Sequence, residues 1–350
     1  MCGGDVLMGQ YEPEMQPVHG IGGRWTAERA WRWYEAHTWL VGCNFVPSTA
    51  VNDVAMWQHT SFDAETIRRE LGWAAELGFN SVRVFLNFVV WRADYSGLKA
   101  RFDRFLSFAA EVGISVMPIL LDDCNFAGRE AAASTQPDPV PGVHNSGWVS
   151  SPPLRMVDDP ATWDALQAYV QGFISSFAHD PRIVIWDLYN EPGNSGMGAR
   201  SLPLMEAAFA WAREVGPSQP LTVGAWADFE DPMQKAMVAL SDVVSFHAYD
   251  GPEGVETKIQ RCAMEGRPML CTEWLHRPAG NTFAAILPLF RRNRVGCYNW
   301  GLVAGLTQTT MPWEAAPRTP EPIVWQHDIL HCDGTPHDPR EVAFLREVLC

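Results

Sequence analysis

The chain has no apolar run near the roughly 18 residues that a bilayer-spanning helix needs, and its opening stretch, "MCGGDVLMGQYEPEMQPVHG", has no basic segment leading into an apolar core. Both absences argue against a helical membrane protein and give the expectation of a cytoplasmic one. Positive charge is scarce as well: 26 Lys and Arg stand against 41 Asp and Glu, a formal net charge of -15. An acidic field repels polyanions, so no nucleic acid and no anionic membrane surface is an expected partner. The eight cysteines form no CxxC pair and no regular spacing. Cys43, Cys271 and Cys297 lie inside apolar runs where a thiol behaves as a small hydrophobe, so all are read as reduced. The glycine-rich "GIGGRW" follows no strand and opens no clear helix. It carries no dinucleotide signature, and no cofactor is expected. Oligomeric state is not legible.

What is present is a repeated alternation. Eight short apolar runs, "WLVGCNFV" (39–46), "SVRVFLNFVVW" (81–91), "ISVMPILL" (114–121), "IVIWDLYN" (183–190), "LTVGAW" (221–226), "VVSFHAY" (243–249), "PMLCTEW" (268–274) and "VGCYNWGLV" (295–303), are separated by stretches with helical spacing. Eight strand–helix pairs predict a closed parallel sheet, an α/β (β/α)8 TIM barrel. It is expected to form one domain over 1–350, with 1–38 an N-terminal extension packing on the barrel. Two connections, 122–159 after the third strand and 304–338 after the eighth, are too long for turns and are rich in Pro and Gly. Long loops over the top of a barrel are commonly functional.

In such barrels the site is assembled at the C-terminal strand ends. Those ends carry Arg83 and Asn87, Asp122 and Asp123, Asn190 and Glu191, Trp226, His247 and Tyr249, Glu273 and Trp274, and Asn299 and Trp300. Two glutamates facing one another across a barrel mouth are what glycoside hydrolysis needs: one protonated to assist the leaving oxygen, one ionised to attack the anomeric carbon. Arg83 and Tyr249 are candidates to keep Glu273 ionised, and partial burial beside a second anion should raise the pKa of Glu191.

Most of the 16 tryptophans are expected to be packing residues, Trp73, Trp163 and Trp211 among them. Trp300 and Trp274 are stronger candidates for sugar contact, followed by Trp57, Trp148 and Trp226. His327, His331, Cys332 and His337 form a loose group, better read as solvated or locally bonded side chains than as a metal site. Asp122 and Asp123 fit hydrogen bonding to sugar hydroxyls or loop amides as well as they fit a divalent ion.

"NEP" after the fourth strand, "HAY" on the sixth, "CTEW" on the seventh, the Arg of "SVRVF" and the Trp of "YNW" resemble the retaining glycosidases of clan A, closest to glycoside hydrolase family 5, the cellulase family. The resemblance implies Glu191 as acid/base and Glu273 as nucleophile. It also implies Asn190 on the sugar 2-hydroxyl, Arg83, His247 and Tyr249 ordering nucleophile and sugar, and Trp300 as a stacking floor. "FVPSTAVNDVAMWQ" and "PGVHNSGW" are similar to a bacterial branch often labelled as xylanases. Unlike secreted cellulases, the chain shows no export signal and no carbohydrate-binding module, and its third loop is long. An exo-acting enzyme on short β-linked oligosaccharides or glycosides is therefore expected. The alternatives are an endo-acting β-glucanase, mannanase or xylanase, a non-catalytic sugar-binding barrel, and a metal-dependent barrel hydrolase or isomerase.

Overall fold

The computed structural model describes residues 23–349. Residues 1–22 of the expected N-terminal extension lie outside the described residues. Nine parallel strand segments form one sheet: β1 Val41–Asn44, β2 Ser81–Phe85, β3 Ser115–Asp122, β4 Trp186–Asn190, β5 Leu221–Thr222, β6 Gly224–Ala225, β7 Val244–His247, β8 Met269–Glu273 and β9 Val295–Trp300. Pairing runs from β5 through β4, β3, β2 and β1 to β9, β8, β7 and β6. The two terminal segments of that order are consecutive in the chain and separated only by Val223, so β5 and β6 are one barrel stave with a break. Eight staves close the (β/α)8 barrel.

The helices on its outside are amphipathic, and several are capped by a side chain just before their first residue. In α3, Ala64–Glu76, the Asp63 side chain accepts the Thr66 N–H, and the buried Ile67, Leu71 and Ala74 face the sheet. The same burial of one apolar face holds for α5 (Tyr95–Glu111), α6 (Trp163–Phe177), α7 (Leu202–Val215), α8 (Pro232–Leu240), α9 (Pro252–Ala263), α10 (Phe283–Arg292) and α11 (Pro339–Leu349), with side-chain caps from Asp94 on α5, Asp231 on α8 and Thr282 on α10. Three helices fall outside the simple alternation: α1 (Ala27–Glu35), α2 (Asp53–Trp57) and α4 (Phe88–Ala93). The apolar run after β2 was expected to continue as strand through Trp91. Instead Asn87 caps α4 by accepting the Val89 N–H, which turns "FVVW" into helix.

The barrel interior is layered. Its base holds Met117, Val184, Ile185, Val243, Leu270 and Tyr298, joined by Tyr34 of α1. The Trp25 N–H on Asp242 at 2.8 Å and the Tyr34 hydroxyl on the Arg294 carbonyl at 2.7 Å tie the α1 segment across that end. Above it lies a polar layer around the fully buried Arg83, and above that the mouth opens between aromatic residues Phe85, Trp148 and Trp300.

Candidate active site

Strand alternation decides which side chains reach the mouth. On β8, Glu273 points inward, while the next residue, Trp274, is fully buried on the outside against Phe283 and Phe290 of α10. Trp274 therefore packs helix on barrel and offers no face to a sugar. At the end of β4, Asn190 is the last strand residue and Glu191 follows in left-handed backbone, φ 43°. That conformation is costly for a residue with a Cβ, and such strain concentrates at functional positions.

A carboxylate oxygen of Glu191, one of Glu273 and a ring nitrogen of His247 all lie within 4.8 Å of one another. The sequence reading expected Arg83 and Tyr249 to hold Glu273 ionised and partial burial to raise Glu191 alone; both partners are in place on Glu273. Burial instead pushes both above the usual glutamate range, and what distinguishes them is their partners. Glu273 accepts from Arg83 Nη1 at 2.9 Å and from the Tyr249 hydroxyl at 2.8 Å. Glu191 accepts from Asn194 Nδ2 at 2.6 Å and from the Cys124 thiol at 3.3 Å. A full positive charge thus stands against Glu273, and only neutral donors stand against Glu191. That asymmetry assigns the more readily ionised role to Glu273. His247 Nδ1 lies 2.7 Å from Glu191 and 3.6 Å from Glu273. Burial pushes the imidazole down to about 3, so it stays neutral beside both acids.

Arg83 is held from all sides. It pairs with Asp187 at 2.8 Å and donates to Asn44 at 2.8 Å and Asn190 at 2.7 Å. Asn190 in turn donates to Asp122 at 2.9 Å, so its amide is fixed before any ligand arrives. Asp187 was missed in the sequence because it lies in the middle of an apolar run. Its sign was there to see, since an acid inside a buried strand requires a cation, and Arg83 is in the same barrel interior.

Around these groups is a cavity of about 590 Å³ lined by Asn190, Glu191, His247, Tyr249, Glu273, Trp226 and Trp300, with further residues from both long loops. Trp148, Cys124 and Lys258 line it too. Besides Trp274, two more expected sugar contacts lie elsewhere. Trp57 is fully buried among Phe62, Phe102 and Phe105, and its indole N–H bonds the Phe85 carbonyl. A helix–helix contact accounts for it. Asp123 is also fully buried, bonded to the Tyr189 hydroxyl, the Ser201 hydroxyl and the Gly193 N–H. It anchors the turn that carries Glu191. Of the loose histidine group, His331 and His337 pack on Trp325, while His327 is buried and lines the cavity.

Paired glutamates at the ends of β4 and β8 in the mouth of a (β/α)8 barrel are the arrangement that glycoside hydrolysis uses. A family model described as "Cellulase (glycosyl hydrolase family 5)" matches residues 73–304, and the chain belongs to that family. Solved barrels of similar fold include an exo-β-1,4-mannosidase from Opitutaceae bacterium strain TAV5, at 19% identity and TM-score 0.61 over 88% of this chain. They also include GH5_18 from Streptomyces cattleya in complex with GlcNAc, at 15% identity and TM-score 0.60, covering 89% of this chain and 81% of that one. An endo-β-1,4-mannanase from Thermotoga petrophila matches at 15% identity and TM-score 0.58, covering 89% of this chain and 76% of that one. The chain spans 59% of the length of the mannosidase. At these identities the likeness is one of fold. No curated protein sequence matches the chain.

Proposed function

We propose that the protein is a retaining, exo-acting β-glycosidase that cleaves short β-linked oligosaccharides or glycosides by double displacement. The observation that carries the retaining mechanism is the approach of the two carboxyl groups, whose nearest oxygens lie within 4.8 Å. So close an approach suits direct attack by the second carboxylate, whereas an inverting pair stands roughly 6.5–9.5 Å apart to admit a water.

Glu273, held by Arg83 and Tyr249, attacks the anomeric carbon. Glu191 gives its proton to the leaving oxygen, and the glycosyl ester forms as the glycosidic bond breaks. In the second half Glu191, now ionised, takes a proton from water, and the water oxygen displaces Glu273. Neutral His247 bridges the pair and can donate to, or accept from, Glu191 as its proton leaves and returns.

The exo assignment is supported by the two long loops, which both contribute to the cavity wall. Because an exo-β-1,4-mannosidase and an endo-β-1,4-mannanase share the fold, β-mannosides head the substrate panel, followed by β-glucosides, β-xylosides and β-galactosides. The test is NMR of the first product together with the viscosity of a polymer solution. A first-formed β-anomer with nearly constant viscosity is expected. A first-formed α-anomer would overturn the mechanism, and a rapid fall in viscosity the exo action.

A further inference from the structure

We propose that the two long loops together build a recognition wall for the sugar that the enzyme retains, with Asn145 its specificity-determining residue. This rests on the glycosidase reading above. The loops 122–159 and 304–338 are sewn to each other: the Asn145 N–H donates to the Thr307 carbonyl at 2.8 Å, the Gln308 amide to the Val140 carbonyl at 2.8 Å, and the Arg318 N–H to the Pro141 carbonyl at 2.7 Å. Such a wall is fixed before a ligand binds, which limits the ordering that binding costs.

Asn145 is only 2% exposed, lines the cavity, and holds left-handed backbone at φ 50°. Its side-chain oxygen has no partner among the described residues. A buried, unpaired amide in strained backbone is costly twice over, and a ligand hydroxyl removes the first cost. Beside it, His144 Nδ1 lies 2.7 Å from the Met311 carbonyl. A carbonyl only accepts, so Nδ1 carries the proton and Nε2 is left as an acceptor. Burial pushes this imidazole down to about 4, which keeps it neutral.

Acceptors of this kind suit hydroxyl groups, which donate. The cation among the cavity residues, Lys258, is already 2.7 Å from Asp250 and 3.2 Å from the His247 carbonyl. Trp313, 45% exposed, stands at the rim with its ring edge to Tyr249, 5.1 Å between centres, and gives an apolar sugar face something to stack on.

Position in the site says which sugar is read. The leaving group stands beside Glu191, which is flanked by Cys124 and Asn194. The part of the wall beyond Cys124 joins the other side, His144 lying 6.4 Å from Trp313 between ring centres, Trp313 on Tyr249 and Tyr249 on Glu273. It therefore faces the glycone.

The test is Asn145→Gly, because glycine accepts the left-handed backbone and the amide oxygen it deletes makes no bond among the described residues. A merely structural Asn145 predicts unchanged or improved stability and unchanged kinetics. Recognition predicts that kcat/KM falls about tenfold, the effect of one lost hydrogen bond, to the same extent on an aryl β-monoglycoside and on a disaccharide, with the melting temperature unchanged. Trp313→Leu should raise KM on the same pair. The wild type and Glu273→Ala are assayed alongside. If the wild type turns over no glycoside, the glycosidase reading fails and the wall with it. If the wild type is active and Asn145→Gly matches it, or loses activity only on the disaccharide, the glycone wall alone is overturned.

Discussion

Glu191, half-buried, and Glu273, buried, differ in their partners, so their substitutions should fail in different ways. Without Glu191 a poor leaving group receives no proton, yet Glu273 still attacks. Glu191→Ala should keep forming the glycosyl ester from an aryl glycoside with an acidic phenol, and azide should release it as the β-glycosyl azide. Glu273→Ala makes no ester, and azide entering the space left by the carboxylate should give the α-azide. The opposite pair of products would exchange the two roles. Turnover of a natural substrate within about tenfold of wild type in both variants, only ~1.4 kcal/mol of barrier, would remove both residues from the mechanism. A finer contact concerns Cys124. Burial and neighbouring carboxylates push this thiol well up, so it remains an S–H donor to Glu191. A donor favours the ionised acid and holds its pKa down. Cys124→Ala should move the alkaline limb of the kcat/KM profile to higher pH, and Cys124→Ser, a stronger donor, to lower pH, by roughly half a pH unit each. A limb that moves in neither variant shows that the contact is not felt. The strand-end residues of this site were legible because each sits at a strand terminus with chemistry that packing does not require. Cys124, Asn145, His144 and Trp313 were not, because loop residues carry no period and only the folded loops show what they approach.

At the scale of elements, the two loops act as one. Gly142 lies where they meet, at φ 78°, and its N–H donates to Gln308 Oε1 at 2.8 Å. A Cβ there would stand 2.6 Å from the backbone oxygen of Thr319 and 2.7 Å from its nitrogen. Backbone cannot rotate aside as a side chain can, and left-handed alanine is itself strained, so Gly142→Ala should part the loops at a cost on the order of 1–3 kcal/mol. The barrel is untouched by this change. Activity on aryl glycosides should fall several-fold, whereas cleavage of a polymer followed by viscosity should rise relative to it. An unchanged ratio of the two activities would show that the loops do not set the mode of cleavage. Strand alternation corrects the tryptophans at the same scale. Trp274 follows Glu273 directly and must face the opposite way, a rule available from sequence once the inward residue is chosen. Trp57 had no such rule, since α2 is a five-residue helix between two longer signals.

For the whole molecule, the order of strands and helices was written in the alternation of apolar runs with helical stretches, because each stave and each helix buries one face with its own period. Closure was legible too, in the count of eight pairs, but the details that fasten the barrel were not. At the break the Val223 N–H turns to the Ser241 hydroxyl at 3.2 Å, and the fastening of α1 across the base joins residues more than 200 positions apart, such as Trp25 with Asp242. The packed barrel also encloses acids outside the site. Glu70 of α3 is fully buried and accepts from the Ser48 N–H and hydroxyl. Asp53 at the start of α2 accepts from the Val54 N–H at 2.8 Å and Asn87 Nδ2 at 2.9 Å. Burial pushes each up to about 7. A carboxyl whose folded pKa exceeds its unfolded one binds its proton more tightly in the folded state. Its contribution to stability is complete below the unfolded value of about 4 and is lost as pH rises through about 7. The melting temperature should therefore decline between pH 5 and pH 8 even though the protein is acidic throughout. Glu70→Gln and Asp53→Asn remove the titration, and each amide keeps one of the two accepting oxygens, so the double variant should show a flatter profile, with its largest gain relative to wild type at pH 8. The gain is on the order of 2–3 kcal/mol per residue at most, since partial hydration of the ionised acid reduces it. Equal slopes in wild type and double variant would show that these two acids ionise in the folded protein much as they do in the unfolded chain.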